Sequence, residues 1–405
     1  MNVTDRALRD CTSCQMCAAI CPKNAIDIVL DKDGFYRPLV NDSLCVNCGL
    51  CKTICYKYDE HIDGTDNDRL AASTLLGAAA KDSGLLMKSS SGGIASLLAT
   101  QLFHDGYKCV GVVYNADCDA AMDVVASSED DLKKFRGSKY IQSYTLDAFK
   151  EVVANCKYEK YAVFGTPCHI YALDRYLCQH KIRDRHILVD VYCHGCPSIH
   201  IWKKYINDIK TKVGHKEIKN VNFRSKNKGW GNYCIEIEIN DAPEYLSSSH
   251  GDEFFDIFFS DQVLNSACND CALRSTLVHA DIRLGDFWGK QYVLNTKGMS
   301  AVSLVSKKSK FLFQKISDKI IFNEESYNDF LPWQSWDKTH TPNQELRHKL
   351  FDELRDENIS LQHSISTLRR YQSLKGKIVR ISKLFISYLP IKFEKFVRWF
   401  YYKIK

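Results

Sequence analysis

The sequence lacks a long hydrophobic run. In the carboxy-terminal tail the longest apolar stretch, residues 384–391, is far shorter than the roughly 20 residues of a membrane-spanning helix. The first ten residues, MNVTDRALRD, are charged at positions 5, 6, 9 and 10 and contain no apolar core of a signal peptide. We therefore expect a cytoplasmic protein whose 18 cysteines stay reduced and serve metal or redox chemistry rather than disulfides.

Acidic residues are nearly absent from one region. Residues 369–405 contain eleven Lys or Arg and a single acid, Glu394, so this segment carries +10 and the rest of the chain −4, against a net charge of +6 for the whole. A mildly acidic body argues against a surface for nucleic acid. The basic, aromatic tail predicts a helix that rests on an anionic membrane or on a partner protein. The alternative is a helix packed on its own domain.

Eight cysteines within the first 55 residues repeat one spacing. CTSCQMCAAICP and CVNCGLCKTIC both follow C-x2-C-x2-C-x3-C, which is typical of ferredoxins with two 4Fe–4S clusters, where the fourth cysteine of each run binds the other cluster. We assign one cluster to Cys11, Cys14, Cys17 and Cys55, and the other to Cys45, Cys48, Cys51 and Cys21. A pair of zinc sites is the alternative, which the spacing disfavours.

Other features of this module agree with a ferredoxin. Residues 24–40 predict a strand, an Asp-Gly turn and a second strand. Tyr56 stands where the second cysteine run usually has proline, a departure that removes no ligand.

The chain from about residue 85 to 330 alternates short apolar runs with helical patterns, which predicts an α/β fold. Strands are expected at 107–115, 161–165 and 186–193, and helices at 94–103 and 169–177. Beyond residue 330 the pattern becomes helical.

Four cysteines of the α/β region form a candidate third cluster site. Cys168 and Cys193 each follow a predicted strand and precede a helix, a position that stabilises thiolates and where parallel sheets build their sites. Cys268 and Cys271 add two thiolates from one loop. Two alternatives stay open: a structural zinc on these two cysteines with Cys193 and Cys196, or a redox dithiol of Cys193 and Cys196. The remaining cysteines are expected to be core or surface fillers: Cys109, Cys118, Cys156, Cys178 and Cys234.

A serine- and glycine-rich loop, residues 89–93, precedes the helix predicted at 94–103. Backbone N–H groups at a helix start suit a phosphate or a flavin. An ordinary serine N-cap is the alternative.

Six motifs in order resemble the beta subunit family of coenzyme F420 hydrogenase/dehydrogenase: KSSSGGIASLLA, RGSKYIQS, GTPCHIYAL, CHG followed by Ser198, FRSKNKGW and CNDCALRSTLVHADIRLGDFWG. The resemblance implies an FAD site and a 4Fe–4S cluster within one α/β domain. It implies cluster ligands at Cys168, Cys193, Cys268 and Cys271, whereas Cys196 lies outside the motifs and its role stays open. It also implies flavin contacts from Ser90, Ser91, Gly92, Gly93, Gly137, Ser138 and Lys139. Arg136 is a further candidate for the diphosphate, and Asp281, Gly285 and Asp286 are expected to shape the site.

We accordingly predict a dicluster ferredoxin-like domain (1–60), a linker (61–85), the two parts of the α/β flavin- and iron–sulfur-binding domain (86–165 and 166–330) and a helical basic tail (331–405). The expected activity is that of an oxidoreductase in which electrons pass between a hydride donor such as reduced coenzyme F420, FAD and 4Fe–4S clusters, and on to a redox partner. A ferredoxin- or NAD(P)H-dependent reductase of cell-surface polysaccharide biosynthesis, and a non-catalytic electron-transfer subunit of a larger complex, are the alternatives.

Overall fold

The structure is a computed structural model that describes residues 2–60, 62, 67–214, 216–239, 242–247 and 251–389, together with 393, 396, 397, 399 and 400. The strands are β1 Ile26–Leu30, β2 Tyr36–Val40, β3 Thr74–Ala80, β4 Lys108–Asn115, β5 Ala120–Val125, β6 Ser143–Tyr144, β7 Tyr161–Phe164, β8 Ile187–Val191, β9 Ile218–Ser225, β10 Cys234–Ile239, β11 Ala242–Leu246, β12 Ile282–Asp286, β13 Ser300–Leu304 and β14 Ile320–Glu324.

The helices are α1 Met16–Ala19, α2 Leu50–Thr53, α3 Asn67–Ala72, α4 Ser83–Met87, α5 Ile94–His104, α6 Glu129–Lys134, α7 Leu146–Asn155, α8 Pro167–Gln179, α9 Ile199–Lys212, α10 Glu253–Phe258, α11 Lys307–Lys315, α12 Tyr327–Phe330, α13 Gln344–Arg355, α14 Leu361–Tyr371 and α15 Leu374–Ser387. None of the helices in the described part of the chain is long and apolar enough to cross a bilayer.

The N-terminal module is built on the antiparallel hairpin of β1 and β2, in register from Ile26 opposite Val40 to Leu30 opposite Tyr36. The carboxylate of Asp31 closes the turn by accepting the N–H groups of Asp33 and Phe35, both at 2.9 Å. This confirms the strand–turn–strand that the sequence predicts.

The body of the protein is a nine-stranded mixed sheet in the order β14-β3-β13-β12-β8-β7-β4-β5-β6. Strands β12, β8, β7 and β4 are parallel neighbours, and β3 and β12 both pair antiparallel with β13. Strand β3 therefore points the same way as β12, β8, β7 and β4. The carboxyl ends of these strands share one edge of the sheet, where α/β proteins build their sites.

The predicted strands and helices of the α/β region correspond to β4, β7, β8, α5 and α8, and the α/β fold class is confirmed. The structure differs from the expected linker over part of 61–85. Thr74–Ala80 forms β3, which is buried almost throughout and hydrogen-bonded on both sides. Its small side chains (TLLGAAA) fit an interior strand, but they are too few to stand out beside the polar residues before them. The domain boundaries themselves stay predictions.

A three-stranded sheet, β11-β10-β9, joins helices α9, α10, α13 and α14 in a second core. This core contains Trp202 and Phe254 together with Leu350 of α13 and Ile365 of α14. Hence the first two helices after residue 331 belong to the body. Helix α15 follows them, and most of the predicted tail beyond residue 389 lies outside the described residues.

Candidate functional site

The N-terminal module encloses two cavities, and four cysteines line each. Cys11, Cys14, Cys17 and Cys55 line the first; Cys21, Cys45, Cys48 and Cys51 line the second. The fourth cysteine of each run therefore crosses to the other cavity, as a dicluster ferredoxin requires.

Local backbone conformation explains how each run curls around its cavity. In both runs the residues immediately before and after the middle cysteine of the C-x2-C-x2-C segment have positive φ, between 54° and 77°: Ser13, Gln15, Asn47 and Gly49. Left-handed residues in such a loop turn successive backbone N–H groups inward, which makes a concave surface suited to a negatively charged group.

Three thiols of the first cavity, those of Cys14, Cys17 and Cys55, are desolvated. Burial, together with the neighbouring Cys11 thiol, raises the pKa of Cys14 to about 11. Burial, with Cys14 as the next cause, raises the pKa of Cys55 to about 12. Thiolates are costly in such a place unless a metal charge offsets them, so four converging thiols fit a metal cluster as their ligand.

A third group of cysteines lies at the carboxyl edge of the large sheet. Cys168 follows β7, Cys193 and Cys196 follow β8, and Cys268 and Cys271 come from the loop before β12. Cys268 interacts electrostatically with Cys193, Cys196 and Cys271, and Cys168 with Cys193 and Cys268. The backbone N–H of Cys196 also donates to the Cys268 sulfur at 3.4 Å. The structure thus brings together five cysteines rather than the four of the predicted ligand set.

Burial raises the pKa of all five thiols in this third group. For Cys193 the value rises to about 11, with the Cys271 thiol as the next cause. The donor set, all sulfur and all desolvated, fits an iron–sulfur cluster or zinc on the same argument as the first cavity.

The first cavity and the third group are joined by buried polar contacts. Asn265 donates to the carbonyl of Cys11 at 3.0 Å and accepts the N–H of Ala267, at the turn that carries Cys268, at 3.3 Å. Arg37 donates to the same Cys11 carbonyl at 2.5 Å. Cys14 and Cys168 lie close enough to interact electrostatically. The two cysteine groups are therefore neighbours held in a defined relation.

Tyr56 adds a second connection. It directly follows Cys55, and its hydroxyl accepts the N–H of Ala272 at 2.9 Å and hydrogen-bonds the Cys271 side chain. Burial raises the pKa of this hydroxyl well above its ordinary value, so it keeps its proton. The residue that departs from the usual proline thus links a cysteine of the first cavity to one of the third group.

Two loops that the sequence nominates for a flavin meet at the same sheet edge. The N–H of Ser138 donates to Ser90 Oγ at 2.9 Å. Gly137 has a φ of +82°, and a Cβ there would find only Asn222 Oδ1 at 3.7 Å and Ser90 Oγ at 4.0 Å among the described atoms. Its missing side chain leaves space between the loops.

Other residues of the Ser–Gly loop serve the fold. A Cβ on Gly92 would lie 2.2 Å from the carbonyl oxygen of Ala78 in β3, so this position needs glycine for close packing. Helix α5 begins after Gly93, with no side-chain cap from the described residues, and Ser89 Oγ donates to Leu85 O instead. The serine N-cap alternative is therefore wrong.

The basic residues of the second loop have different surroundings. Lys139 donates to the carbonyls of Lys134 and Arg136 at 2.9 and 3.0 Å, and burial lowers its pKa to about 7. Its side-chain nitrogen therefore braces its own loop. Arg136 Nε is buried and has no hydrogen-bond partner among the described residues.

Sequence comparison connects these sites to known proteins. The profile of the coenzyme F420 hydrogenase/dehydrogenase beta subunit matches residues 75–150 with its N-terminal part and 158–329 with its C-terminal part. A 4Fe–4S dicluster domain matches residues 10–57. The chain belongs to the coenzyme F420 hydrogenase/dehydrogenase beta subunit family. It is an iron–sulfur protein of an oxidoreductase family, with a 4Fe–4S dicluster domain at its N-terminal end.

Individual relatives are more distant. An uncharacterized protein of Methanocaldococcus jannaschii is 25% identical over 189 residues, which cover 40% of this chain and 51% of the relative. The chain thus spans about half the length of that curated relative. A xenon-derivatized structure of the F420-reducing [NiFe] hydrogenase complex from Methanosarcina barkeri shares 17% identity, covering 73% of this chain and 90% of that chain with a TM-score of 0.45.

Within this family framework the structure reveals residues that sequence reasoning did not nominate. Arg224 is 3% exposed, is paired with Asp286 and lies over the rings of Tyr233 and Trp288 at 4.2 and 5.4 Å. Its Nε and Nη2 have no hydrogen-bond partner among the described residues. Trp230 stacks on Trp288 at 4.5 Å.

Lys226 holds the Ser–Gly loop from the other side, donating to the carbonyls of Leu86 at 2.8 Å, Ser91 and Lys297. The signal for these residues was available in the motifs FRSKNKGW and LGDFWG, whose arginine, lysines and tryptophans could have been nominated individually.

Proposed function

We propose that this chain is an iron–sulfur flavoprotein that passes single electrons between a bound FAD and three neighbouring 4Fe–4S clusters. The observation that carries the proposal is the spatial order of the sites. The sites follow one another in space, beginning with the two N-terminal cysteine cavities. The first cavity contacts the third cysteine group, and that group shares its sheet edge with the two candidate flavin loops.

Cysteine thiolates would hold the clusters. In the N-terminal module the ligands would be Cys11, Cys14, Cys17 and Cys55 for one cluster and Cys21, Cys45, Cys48 and Cys51 for the other. For the third cluster we propose Cys168, Cys193, Cys268 and Cys271, with Cys196 as a fifth thiol that donates its N–H to Cys268. Hydrogen bonds to ligand sulfur and exclusion of water are the means by which a protein tunes such a cluster.

The protein positions the first and third clusters against each other. Asn265 and Arg37 hold the backbone of the Cys11 loop on the turn of Cys268, and Tyr56 continues from Cys55 to Cys271. Arg37 and Asn265 are buried and Tyr56 is partly buried.

For the flavin we propose the space between the Ser–Gly loop and residues 136–139. FAD, when bound, would accept two electrons as a hydride and return them singly, as one-electron clusters require. Backbone N–H groups at the start of α5, with Ser90, Ser138 and Arg136, would bind the diphosphate. Arg224 would donate to an acceptor atom of the flavin, because its Nε and Nη2 are buried and have no hydrogen-bond partner among the described residues. Lys139 would act by bracing its loop.

Reduced coenzyme F420 or a similar hydride donor would supply the electrons, and a redox partner protein would exchange them at the N-terminal module. The test is anaerobic reconstitution followed by analysis of iron, sulfide and flavin and by a screen of donors. We expect one FAD per chain, reduced before the clusters. If no flavin binds and no donor reduces the protein, the enzyme proposal is wrong and the chain is a non-catalytic electron-transfer subunit. If only NAD(P)H or ferredoxin reduces the protein, the proposal of coenzyme F420 as the donor is wrong.

Gly137→Val tests the flavin position. Gly106, at the other end of α5, provides a matched control, because it has the same φ of +82° and the described residues place no atom within 4 Å of its Cβ position. Both variants carry the same backbone strain, of about 1–2 kcal/mol. Only Gly137→Val should weaken FAD binding. Equal binding in the two variants would contradict the proposed position.

We further propose that α15 contacts the cytoplasmic face of an anionic membrane. The helix has no acid and exposes apolar side chains, with Leu374 75% and Phe385 68% exposed, beside Lys375, Arg380 and Lys383. Basic and apolar residues together favour anionic lipid surfaces. Vesicles with phosphatidylserine should carry the full chain in flotation but not a chain that lacks residues 374–405, and neutral vesicles should carry neither. Equal flotation of both chains would remove this proposal.

A further inference from the structure

A cluster of two histidines and an aspartate lies beside the third cysteine group. His194 Nε2 is 2.7 Å from Asp261 Oδ1, and His340 Nδ1 is 2.8 Å from Asp261 Oδ2. The ligand atoms of the three residues all lie within 4.8 Å of one another. They come from three separate segments: the loop after β8, the loop after α10 and the stretch before α13.

The hydrogen-bonding roles within the cluster require a positive charge. His340 Nε2 is 2.8 Å from the carbonyl oxygen of His194, and since a carbonyl can only accept, this nitrogen carries the proton. In a neutral imidazole the other nitrogen, Nδ1, then presents a lone pair to the Asp261 carboxylate at 2.8 Å. Two acceptors at this distance repel each other unless a proton or a metal ion lies between them.

The surroundings resemble those of metal-binding histidines. Such histidines direct their second ring nitrogen at a backbone carbonyl, a carboxylate or water, which sets the tautomer and orientation of the ring. His340 does so with its Nε2 on the His194 carbonyl, and His194 directs its Nδ1 at Ser335 Oγ, 3.1 Å away. His340 is also fully buried, so its ring is held in one place.

The distances fit a first-row metal. With metal–ligand bonds of about 2.1 Å, two ligand atoms lie about 3.4 Å apart at the tetrahedral angle of zinc and about 3 Å apart at a right angle. The present nitrogen–oxygen separations of 2.7 and 2.8 Å are hydrogen-bond distances, so the side chains would move apart by roughly half an ångström to admit the ion. The nearby ammonium of Lys338, 3.6 Å from Asp261 Oδ2, opposes a metal, but its side chain is half exposed and can swing into solvent.

We propose that His194, Asp261 and His340 bind one divalent first-row metal ion, zinc or iron(II), through two imidazoles and one carboxylate. The site is independent of the cysteine groups in its ligands. It would tie the loop that carries Cys193 and Cys196 to the segment that leads into α13. Arg274 belongs to the same arrangement, since it donates to the carbonyls of His194 and Cys268 at 3.2 and 2.6 Å.

Metal analysis of the reconstituted holoprotein tests the proposal, with Co²⁺ and Zn²⁺ as probes after removal of loosely bound metal by a chelator. We expect one cobalt or zinc per chain beyond the cluster iron, and a cobalt spectrum without thiolate-to-metal charge-transfer bands, which separates this site from the cysteines. Asp261→Asn and His340→Gln should lose the extra ion while acid-labile sulfide stays unchanged. His363→Gln is the matched control, because His363 faces a single carboxylate, that of Glu353 at 3.6 Å.

Lys338→Ala keeps the test decisive if the ligand variants fold poorly. Removal of a competing cation should tighten Co²⁺ binding relative to the unaltered protein, whereas a proton-bridged cluster would bind no cobalt in either protein. Equal cobalt content in the unaltered protein and Asp261→Asn, or no metal beyond the cluster iron in the unaltered protein and Lys338→Ala, would overturn the proposal and assign the bridging charge to a proton on His340.

Discussion

The two N-terminal cysteine cavities and the third cysteine group use the same side chain in opposite ways. Each N-terminal cavity takes three of its cysteines from seven consecutive residues, whose left-handed backbone positions close the loop locally. The third group takes its members from two strand ends and from a loop that lies 72 residues or more further along the chain, the separation of Cys196 and Cys268. Local spacing therefore identifies three of the four cysteines of each cavity, and the repeated run supplies the fourth. The sheet edge instead brings together cysteines from separate loops, and here there are five.

The largest expected effect is the loss of one cluster without the others. Cys268→Ala should lose about four of about twelve irons and leave the N-terminal clusters intact. Cys48→Ala should instead lose irons from the N-terminal module and leave the third cluster intact. Iron, sulfide and electron paramagnetic resonance of the reduced protein measure this. A plateau at about eight irons with one zinc in the unaltered protein would make the third group a structural zinc site.

The second largest effect is expected on the free energy of unfolding, at the buried ion pair beneath the third cysteine group. Arg283 and Asp190 form a fully buried ion pair, with contacts of 2.8 and 2.5 Å, and Arg283 also donates to the carbonyls of Leu273 and Arg274, which follow Cys271. Arg283→Met leaves Asp190 buried and unpaired, so we expect a loss of about 3–5 kcal/mol in the free energy of unfolding.

Urea denaturation measures that loss. Lys133→Met, which removes an exposed ion pair with Asp130, is the control and should cost at most about 1 kcal/mol. Similar losses in both variants would show that the strand beneath the third cysteine group does not depend on the buried pair.

Communication between the regions is the next test. Tyr56→Phe removes the hydrogen bond to Cys271 but keeps the ring, so electron transfer from the flavin side to the N-terminal clusters should slow about tenfold at unchanged iron content. Stopped-flow spectroscopy follows the transfer. Tyr58→Phe is the control, because its hydroxyl contacts Arg6 and Asn2. The proposed link fails if both variants transfer electrons at the same rate.

The smallest effect is expected at the fifth cysteine. Cys196→Ala should keep the full iron content, since the substitution leaves in place the backbone N–H that donates to the Cys268 sulfur, whereas Cys271→Ala should lose the third cluster. The iron content of the two variants shows which cysteine is the fourth ligand of the third cluster. If Cys196→Ala loses the cluster and Cys271→Ala keeps it, Cys196 is the ligand and Cys271 the additional thiol.

Sequence reasoning reached furthest where ligands and periodicity are local. The dicluster module, its hairpin, the strands β4, β7 and β8 and the family follow from spacing and motif order. It failed at β3, whose small residues lack a strong strand pattern, and it did not nominate Arg224 or Lys226 although their motif was recognised. The partners of these residues come from other parts of the chain: β3 pairs with β13, Lys226 donates to the carbonyl of Leu86, and Arg224 is paired with Asp286.

The sequence by itself determined which cysteines share each N-terminal cavity, because the short chain between three of them leaves few ways to close a loop and the repeated run places the fourth in the other cavity. The tertiary structure alone decided that Cys196 joins the third group, that Tyr56 reaches Cys271, that Gly92 packs closely against β3 and that His194, Asp261 and His340 meet. Each of these contacts joins segments that are distant along the chain, and the spacing of residues carries no information about how such segments pack together.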